Sequence, residues 1–318
     1  MSQLVSNLEN AKDPDVKLSG QELAQALFRG RLVPGKAWQR NYYRLKFLLR
    51  HLTTRAHSGP WLDYLAQCPL LEQMLNAQPG LPCKLHRPYL AANINHQQRL
   101  AALTHHYTFM QSQLPRRLLD GHLSRDGARL ASIEARNDQH YHLRLCSLDQ
   151  MNREGEVTLS FTDDQDAMLA AITFVIRPEQ GATLFIGGLQ GPRRQCPHEA
   201  IHSATKACHG LFPKRLALEA LTQLAAKMGV QQILAVGNQT HMYQDWRYFY
   251  KSKSFLHADY DKFWLSMNGQ LQEQGYFRLP SRLARKPMEQ LPSKKRAEYR
   301  RRYALLDRLA DQVMAHFQ

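Results

Sequence analysis

Between Thr183 and Val236 the hydrophobic period of the sequence changes twice, and few folds accommodate that change. The run TLFIGG (Thr183–Gly188) is β-branched and aromatic and stops at two glycines, which predicts a strand ending in a turn or bulge at Gly187 and Gly188. From Lys214 to Met228 the apolar residues Leu216, Ala217, Ala220, Leu221, Leu224, Ala225 and Met228 recur at helical spacing, giving one buried face. Gly229 follows where a helix C-cap is expected, and Ile233–Val236 is a short apolar strand. Strand, helix and strand in that order make an α/β unit around which the remaining chain is arranged.

Upstream of this unit, Tyr141–Cys146, Gly155–Phe161 and Met168–Arg177 are β-enriched runs joined by short turn-rich links. Links of that length suit antiparallel pairing. Earlier still, helical patterns at Gln21–Phe28, Lys36–Leu52 and Asn93–Met110 alternate with proline punctuation. The expected fold class is therefore α+β, with a mainly helical region at 1–130, a mostly antiparallel sheet-and-helix domain at 131–280, and a basic C-terminal helix at 281–318 capped by Ser293.

The chain of 318 residues carries a formal net charge of +15. That imbalance attracts an anionic partner, such as a phosphorylated cofactor, an acidic carrier protein, anionic lipid or nucleic acid. Nucleic acid is the weakest of these, because no RNA- or DNA-binding motif accompanies the basic tail. The longest mainly apolar run, Leu169–Ile176, is far shorter than the roughly twenty residues a membrane helix needs, so no transmembrane segment is expected. The N-terminus has no apolar signal region, and five cysteines are scattered without a framework. A cytoplasmic protein, free or peripheral at the inner membrane, is the corresponding expectation.

Several segments bear on chemistry. Lys36–Leu52 places Trp38, Tyr42, Leu45, Leu49 and Leu52 on one stripe among five cations. An interfacial helix on anionic lipid fits, but a packed helix whose aromatic stripe faces the core is preferred. His105 and His106 are read as one packed and one exposed imidazole. His198–His202 spells HEAIH, the two-histidine zinc motif, yet nothing downstream supplies a third ligand and no metal is expected. More promising is HGLFPKR (His209–Arg215), a glycine-containing loop feeding a helix whose first turn bears two cations, where Gly210, Lys214 and Arg215 form an anion cradle. Asn238 then opens a segment rich in Tyr and Trp that ends in Asp259-Tyr260-Asp261.

Taken together, KLHRPYL (Lys84–Leu90), HHYTFM (His105–Met110), IGGLQGP (Ile186–Pro192), ATKACHGLFPKRLALEAL (Ala204–Leu221), ILAVGN and DYDKFW resemble the VirK/YbjX family of Gram-negative bacteria, from about residue 35 to 308. The resemblance implies a link to virulence, envelope integrity and antimicrobial-peptide resistance. It supplies no catalytic residue.

The order of elements after residue 131 also resembles the GCN5-related N-acetyltransferases. That resemblance implies acyl-CoA or an acyl carrier protein as donor, with phosphates at Gly210, Lys214 and Arg215 and the acyl carbonyl at the strand opened by Gly187 and Gly188. It further implies Asn238 and Tyr250 as the catalytic pair, Tyr250 protonating the leaving thiolate. The usual glycine-rich loop is absent and Pro213 stands where an amide donor is wanted. The alternative is a non-catalytic envelope factor that binds anionic lipid or a client protein through basic helices.

Overall fold

Side-chain caps begin three of the described α-helices, at Ser19, Asn95 and Asp259. The computed structural model describes residues 18–192, 198–245 and 259–318. Helix α1 (Gly20–Arg29) starts at a capping box between Ser19 and Glu22 and ends at Gly30, whose φ of 72° is left-handed. After a 3-10 turn at Lys36–Gln39 come α2 (Asn41–Thr53), α3 (Arg55–Gln67) and α4 (Leu71–Ala77). Helix α5 (His96–Gln113) opens on a second capping box, Asn95 with Gln98, and α6 (Arg116–His122) closes the helical half.

The sheet follows: β1 (Ala128–Glu134), β2 (His140–Cys146), β3 (Val157–Asp163), β4 (Met168–Arg177) and β5 (Thr183–Gln190). Then come α7 (His198–Ala207), α8 (Pro213–Lys227), β6 (Gln232–Val236), α9 (Tyr260–Ser266), β7 (Gln270–Leu271), β8 (Tyr276–Leu279) and α10 (Ser293–Ala315). Among the described residues the fold is α+β, built on an eight-stranded sheet of order β1-β2-β3-β4-β5-β6-β8-β7. Every pairing is antiparallel except β5 with β6, which helix α8 joins as a parallel pair.

Strand β4 is the centre of the core. Helices α5 and α8 both pack on it, and each residue from Leu169 to Arg177 is buried, so the sheet is covered on both faces there. Burying a Leu, Ile or Phe side chain contributes about 1.5–3 kcal/mol, so this strand stabilises the fold strongly. Helix α10 lies across α8 and β1 and buries Leu305, Leu306, Leu309 and Val313.

Three expectations change. Lys36–Leu52 is not one helix: Arg40 is extended (φ −87°, ψ 122°) and separates the 3-10 turn from α2. The break rotates the two pieces relative to each other, so Trp38 is buried while Tyr42, Leu45, Leu49 and Leu52 face outward, 73, 48, 56 and 57 % exposed. The preferred core-facing stripe is thus incorrect, and Phe47, packed against Trp38 and His86, anchors α2 instead. Strand β5 does not stop at Gly187-Gly188 but runs on to Gln190. Its pairing with β4 slips from Phe174–Ile186 to Thr173–Gly188, which leaves Gly187 as a bulge inside the strand. Ser293 is the first residue of α10, with Pro292 before it and no side-chain cap. Strand β1 escaped sequence reading.

Phe174, fully buried on β4, offers a direct check. Phe174→Ala is expected to lower the unfolding free energy by about 3–5 kcal/mol, while Leu271→Ala on the exposed edge strand changes it by about 0.5 kcal/mol at most. Urea unfolding followed by circular dichroism reads both.

Candidate active site

The parallel pair opens where β5 outruns its partner. Residues Thr183–Ile186 pair with Gln232–Ala235, and from Gly187 onward β5 has no strand neighbour on that side among the described residues. A backbone N–H exposed inside a protein must find an acceptor, and Leu189 N finds the Tyr260 hydroxyl at 3.1 Å. Tyr260 also lies 3.3 Å from His241 Nε2, and that nitrogen is 3.7 Å from Glu154 Oε1. Gln190 Nε2 donates to both Glu154 oxygens at 3.0 Å. Glu154, His241 and Tyr260 are buried and Gln190 stands half-exposed at the rim.

The glycines of β5 are required by this arrangement. A Cβ on Gly188 would sit 1.8 Å from Glu154 Oε2, and one on Gly187 would sit 2.0 Å from the Glu154 carbonyl oxygen and 3.1 Å from Leu90 Cδ1. Leu90 is itself left-handed at φ 70°. A buried branched residue in that region stores about 1–3 kcal/mol of strain, which gathers at functional sites. The strain is held by Leu90 N donating to Arg153 O and by the Ala91–His241 bridge.

Burial drives the charges at the opening toward neutrality. It pushes the Glu154 carboxyl up to about 8 against the opposing pull of Gln190, and pulls the His241 imidazole down to about 4. Burial, then the nearby Glu154, raises the Tyr260 phenol. His241 Nδ1 accepts from Tyr243 N at 3.3 Å, so the proton of the neutral ring resides on Nε2, facing Tyr260 and Glu154. The opening therefore holds a carboxyl that ionises near neutral pH beside an imidazole N–H, a combination suited to proton transfer.

A second polar cluster lies two residues further along. Glu156, separated from Glu154 by Gly155, accepts from Lys84 Nζ at 2.7 Å and from the Tyr107 hydroxyl at 2.6 Å. Lys84 also reaches the Asn152 carbonyl and lies over the Tyr89 ring at 5.0 Å. Next to it, Ile176 N donates to His106 Nδ1 at 3.0 Å, and His106 Nε2 lies 3.2 Å from His122 Nε2. His106 is fully buried, as expected for the packed member of the pair, but His105 is half-buried and not exposed. The motif residues Lys84, Tyr89, His106 and Tyr107 thus converge on the interior, where they tie the helical half to the sheet.

The predicted site residues divide. Gly187 and Gly188 stand at the opening. Lys214 lies beside the end of β5, its Cε 3.7 Å from where a Gly191 Cβ would be, and burial lowers its pKa; among the described residues it has no polar partner. Arg215 points elsewhere, bonding Glu219 at 3.2 Å and the Ala284 carbonyl at 3.4 Å. Gly210, at φ 82°, closes α7 through Gly210 N to Thr205 O, and Arg302 of α10 lies over it, bonding the His209 carbonyl. The anion cradle is thereby reduced to Lys214.

Asn238 is occupied as well. Its side chain donates to Asp259 and accepts from Tyr260 N, while its own N–H donates to Asp261, so it fastens β6 to the start of α9. Tyr250 lies outside the described residues, as do Cys196, Trp246 and Tyr248. HEAIH falls in the first turns of α7, and among the described residues no group of three or more His, Cys, Asp or Glu side chains is placed to hold a metal ion. Sequence reading missed Glu154, Gln190 and His241. The available signal was Glu154-Gly155-Glu156, two acids around a glycine at the entry to an apolar strand.

Among the described residues this is an α+β protein in which Glu154, His241 and Tyr260 are buried together beside the one parallel step of the described sheet. The chain belongs to the VirK/YbjX family, matching over residues 36–315 the family described as Protein of unknown function (DUF535). It is 43 % identical to uncharacterized protein YbjX of Escherichia coli K12, across 100 % of this chain and 96 % of that one. An uncharacterized protein of Haemophilus influenzae is 27 % identical over 88 % of this chain and 89 % of its own. Membrane protein LapB of Mannheimia haemolytica is 27 % identical over 67 % of this chain and 89 % of its own. No solved structure gives a significant match. Among the described residues no helix is long and apolar enough to cross a membrane.

The buried acids and imidazoles set the pH response. Burial holds His122 at about 3, His86 and His241 at about 4, and His106 well below its usual value. The unfolded chain binds those protons below about pH 6.5, so stability is full above that pH and is lost as pH falls toward 4 and 3. Glu154 acts with the opposite sign: its folded carboxyl keeps a proton the unfolded chain has released, so stability declines as pH rises from about 4.5 to 8. Urea titrations across pH should show Glu154→Gln abolishing part of the alkaline decline and His122→Asn making the acid decline shallower.

The Lys84–Glu156 pair makes a separate check. Lys84→Met leaves Glu156 buried without its cation and is expected to destabilise by about 3–5 kcal/mol, whereas Lys84→Met with Glu156→Gln recovers much of that loss.

Proposed function

We propose that this chain transfers an acyl group from a thioester donor, an acyl-CoA or an acyl carrier protein, to an amine or an envelope component at the β5–β6 opening. The observation that carries the reading is the parting of the parallel pair beside the Gly187 bulge, with Glu154 buried behind it. Ligands of mixed sheets bind beyond the carboxyl ends of parallel strands, where neighbouring connections diverge. Support also comes from the order of elements: antiparallel strands, a bulged strand, helices α7 and α8, then the parallel strand β6 with Asn238 two residues past its end, close to the order on which the acetyltransferase resemblance rests. An envelope setting is part of the proposal, suggested by the family resemblance and by the name membrane protein carried by one relative.

In this reading Lys214 holds a donor phosphate at the end of β5. Glu154, as carboxylate, takes the proton of the attacking amine while nitrogen bonds to the thioester carbon. The carbon–sulfur bond then breaks, and the thiolate takes a proton from a tyrosine, either Tyr250 or Tyr260. His241 Nε2–H holds the Glu154 carboxylate in position. Backbone groups at Gly187 and Gly188 face the acyl carbonyl. The competing reading, an accessory factor without chemistry, draws on the basic surface of α2.

Calorimetric titration with acetyl-CoA and a long-chain acyl-CoA tests donor binding. Lys214→Ala is expected to weaken it roughly tenfold or more, the effect of losing one charge-assisted contact. Glu154→Gln is expected to bind donor normally yet lower turnover by about 10²–10⁴-fold, and the wild-type rate should rise toward pH 8. If neither CoA nor carrier-protein thioesters bind saturably, acyl transfer at this site is wrong.

A further inference from the structure

Helix α2 turns an apolar face away from the protein. Tyr42, Leu45, Leu49 and Leu52 follow spacings of three, four and three, so they share one side of the helix, and each is about half or more exposed. On the opposite side Phe47 is buried against Trp38 and His86, and the Trp38 indole donates to the Pro79 carbonyl, so the exposed face is rigidly presented. Contiguous exposed apolar surface of this kind marks an interaction site in a soluble protein. It extends sideways into a groove of about 400 Å³ beside α1, lined in part by Ala24, Phe28, Leu48 and Leu52.

The charge around this face selects the occupant. No acid occurs between Glu22 and Asp63, while eight cations do. Of these, Arg29, Arg31, Lys36, Arg40, Lys46 and Arg55 are exposed. A second copy of the chain docking symmetrically would bring the same cations against themselves, which repels. A sheet of phosphate-bearing headgroups over an apolar interior matches both halves of the surface at once.

We propose that α2 lies in the plane of an anionic phospholipid bilayer, with Tyr42, Leu45, Leu49 and Leu52 entering the acyl boundary and Arg40 and Lys46 meeting headgroup phosphates. The helix has 13 residues and lies on the membrane without spanning it. This inference does not depend on acyl transfer, since none of these residues belongs to the β5–β6 opening.

Flotation of the full chain with vesicles of phosphatidylglycerol and phosphatidylethanolamine, against vesicles of phosphatidylcholine alone, is the test. Wild type is expected to float with the anionic vesicles and stay behind with the neutral ones. Two variants divide the surface: Leu45→Gln with Leu49→Gln removes apolar contact, and Arg40→Glu with Lys46→Glu reverses charge. Each is expected to weaken binding roughly tenfold or more while leaving the melting temperature and acyl-CoA titration of wild type unchanged, because all four positions are exposed. High salt should weaken wild type and leave a residual apolar component. Equal flotation of wild type and both variants, or no flotation at all, overturns the proposal. So does a dimer in light scattering that Leu45→Gln with Leu49→Gln dissolves, which would assign the face to a second copy.

Discussion

Strand β5 keeps its parallel partner only as far as Ile186, and the surroundings of the opening are organised by that loss. The unpaired Leu189 N–H draws in the Tyr260 hydroxyl from α9. Tyr260 brings His241 and, through it, Glu154 together in the buried interior behind the opening. Glu154 in turn excludes any side chain at Gly188, and the bulge at Gly187 admits its backbone. Each member answers an unsatisfied group left by the one before it. In a low-dielectric interior such a chain of polar contacts is either completed or strongly destabilising.

The neighbouring Lys84–Glu156–Tyr107 cluster has a different character. A buried ion pair with its remaining valences satisfied adds little net stability, but it penalises any arrangement that separates its members. Lys84 comes from the helical half and Glu156 from the sheet, so the pair fixes how the two meet. The carboxylates of Glu154 and Glu156 are two residues apart and have unlike partners. One is held by a cation, the other by an amide and an imidazole. Burial pushes the Glu154 carboxyl up to about 8, so its proton can move near neutral pH.

Much of the architecture was legible in the chain. The spacing of Leu216 to Met228 gave helix α8 nearly to the residue, and Met168–Arg177 gave β4 at its observed bounds, because both segments are long and strongly periodic. The glycine pair announced the β5 bulge, although the strand passes through it, since a bulge interrupts pairing on one side only. The candidate site was less legible. Gly187, Gly188 and Lys214 stand near the opening, whereas Arg215, Gly210 and Asn238 are occupied by Glu219, Arg302 and the cap of α9. Sequence neighbours such as Lys214 and Arg215 diverge by 100° on a helix, so adjacency in the chain placed together cations that the fold sends apart.

Sequence by itself determined the periods: which segments coil, which extend, where glycines interrupt them, and that a long stretch near the N-terminus carries cations without acids. Those follow from local sterics and the alternation of apolar residues, which need no partner to be read. Only the tertiary structure decided which apolar stripe is covered. The stripe of α8 is buried against β4, while that of α2, equally periodic, is left outside because Arg40 breaks the helix and Phe47 takes the inward position. The same holds for Glu154, His241 and Tyr260, which come from three distant segments. A period states that a helix has an apolar side; which surface meets that side depends on contacts between segments the sequence does not list together.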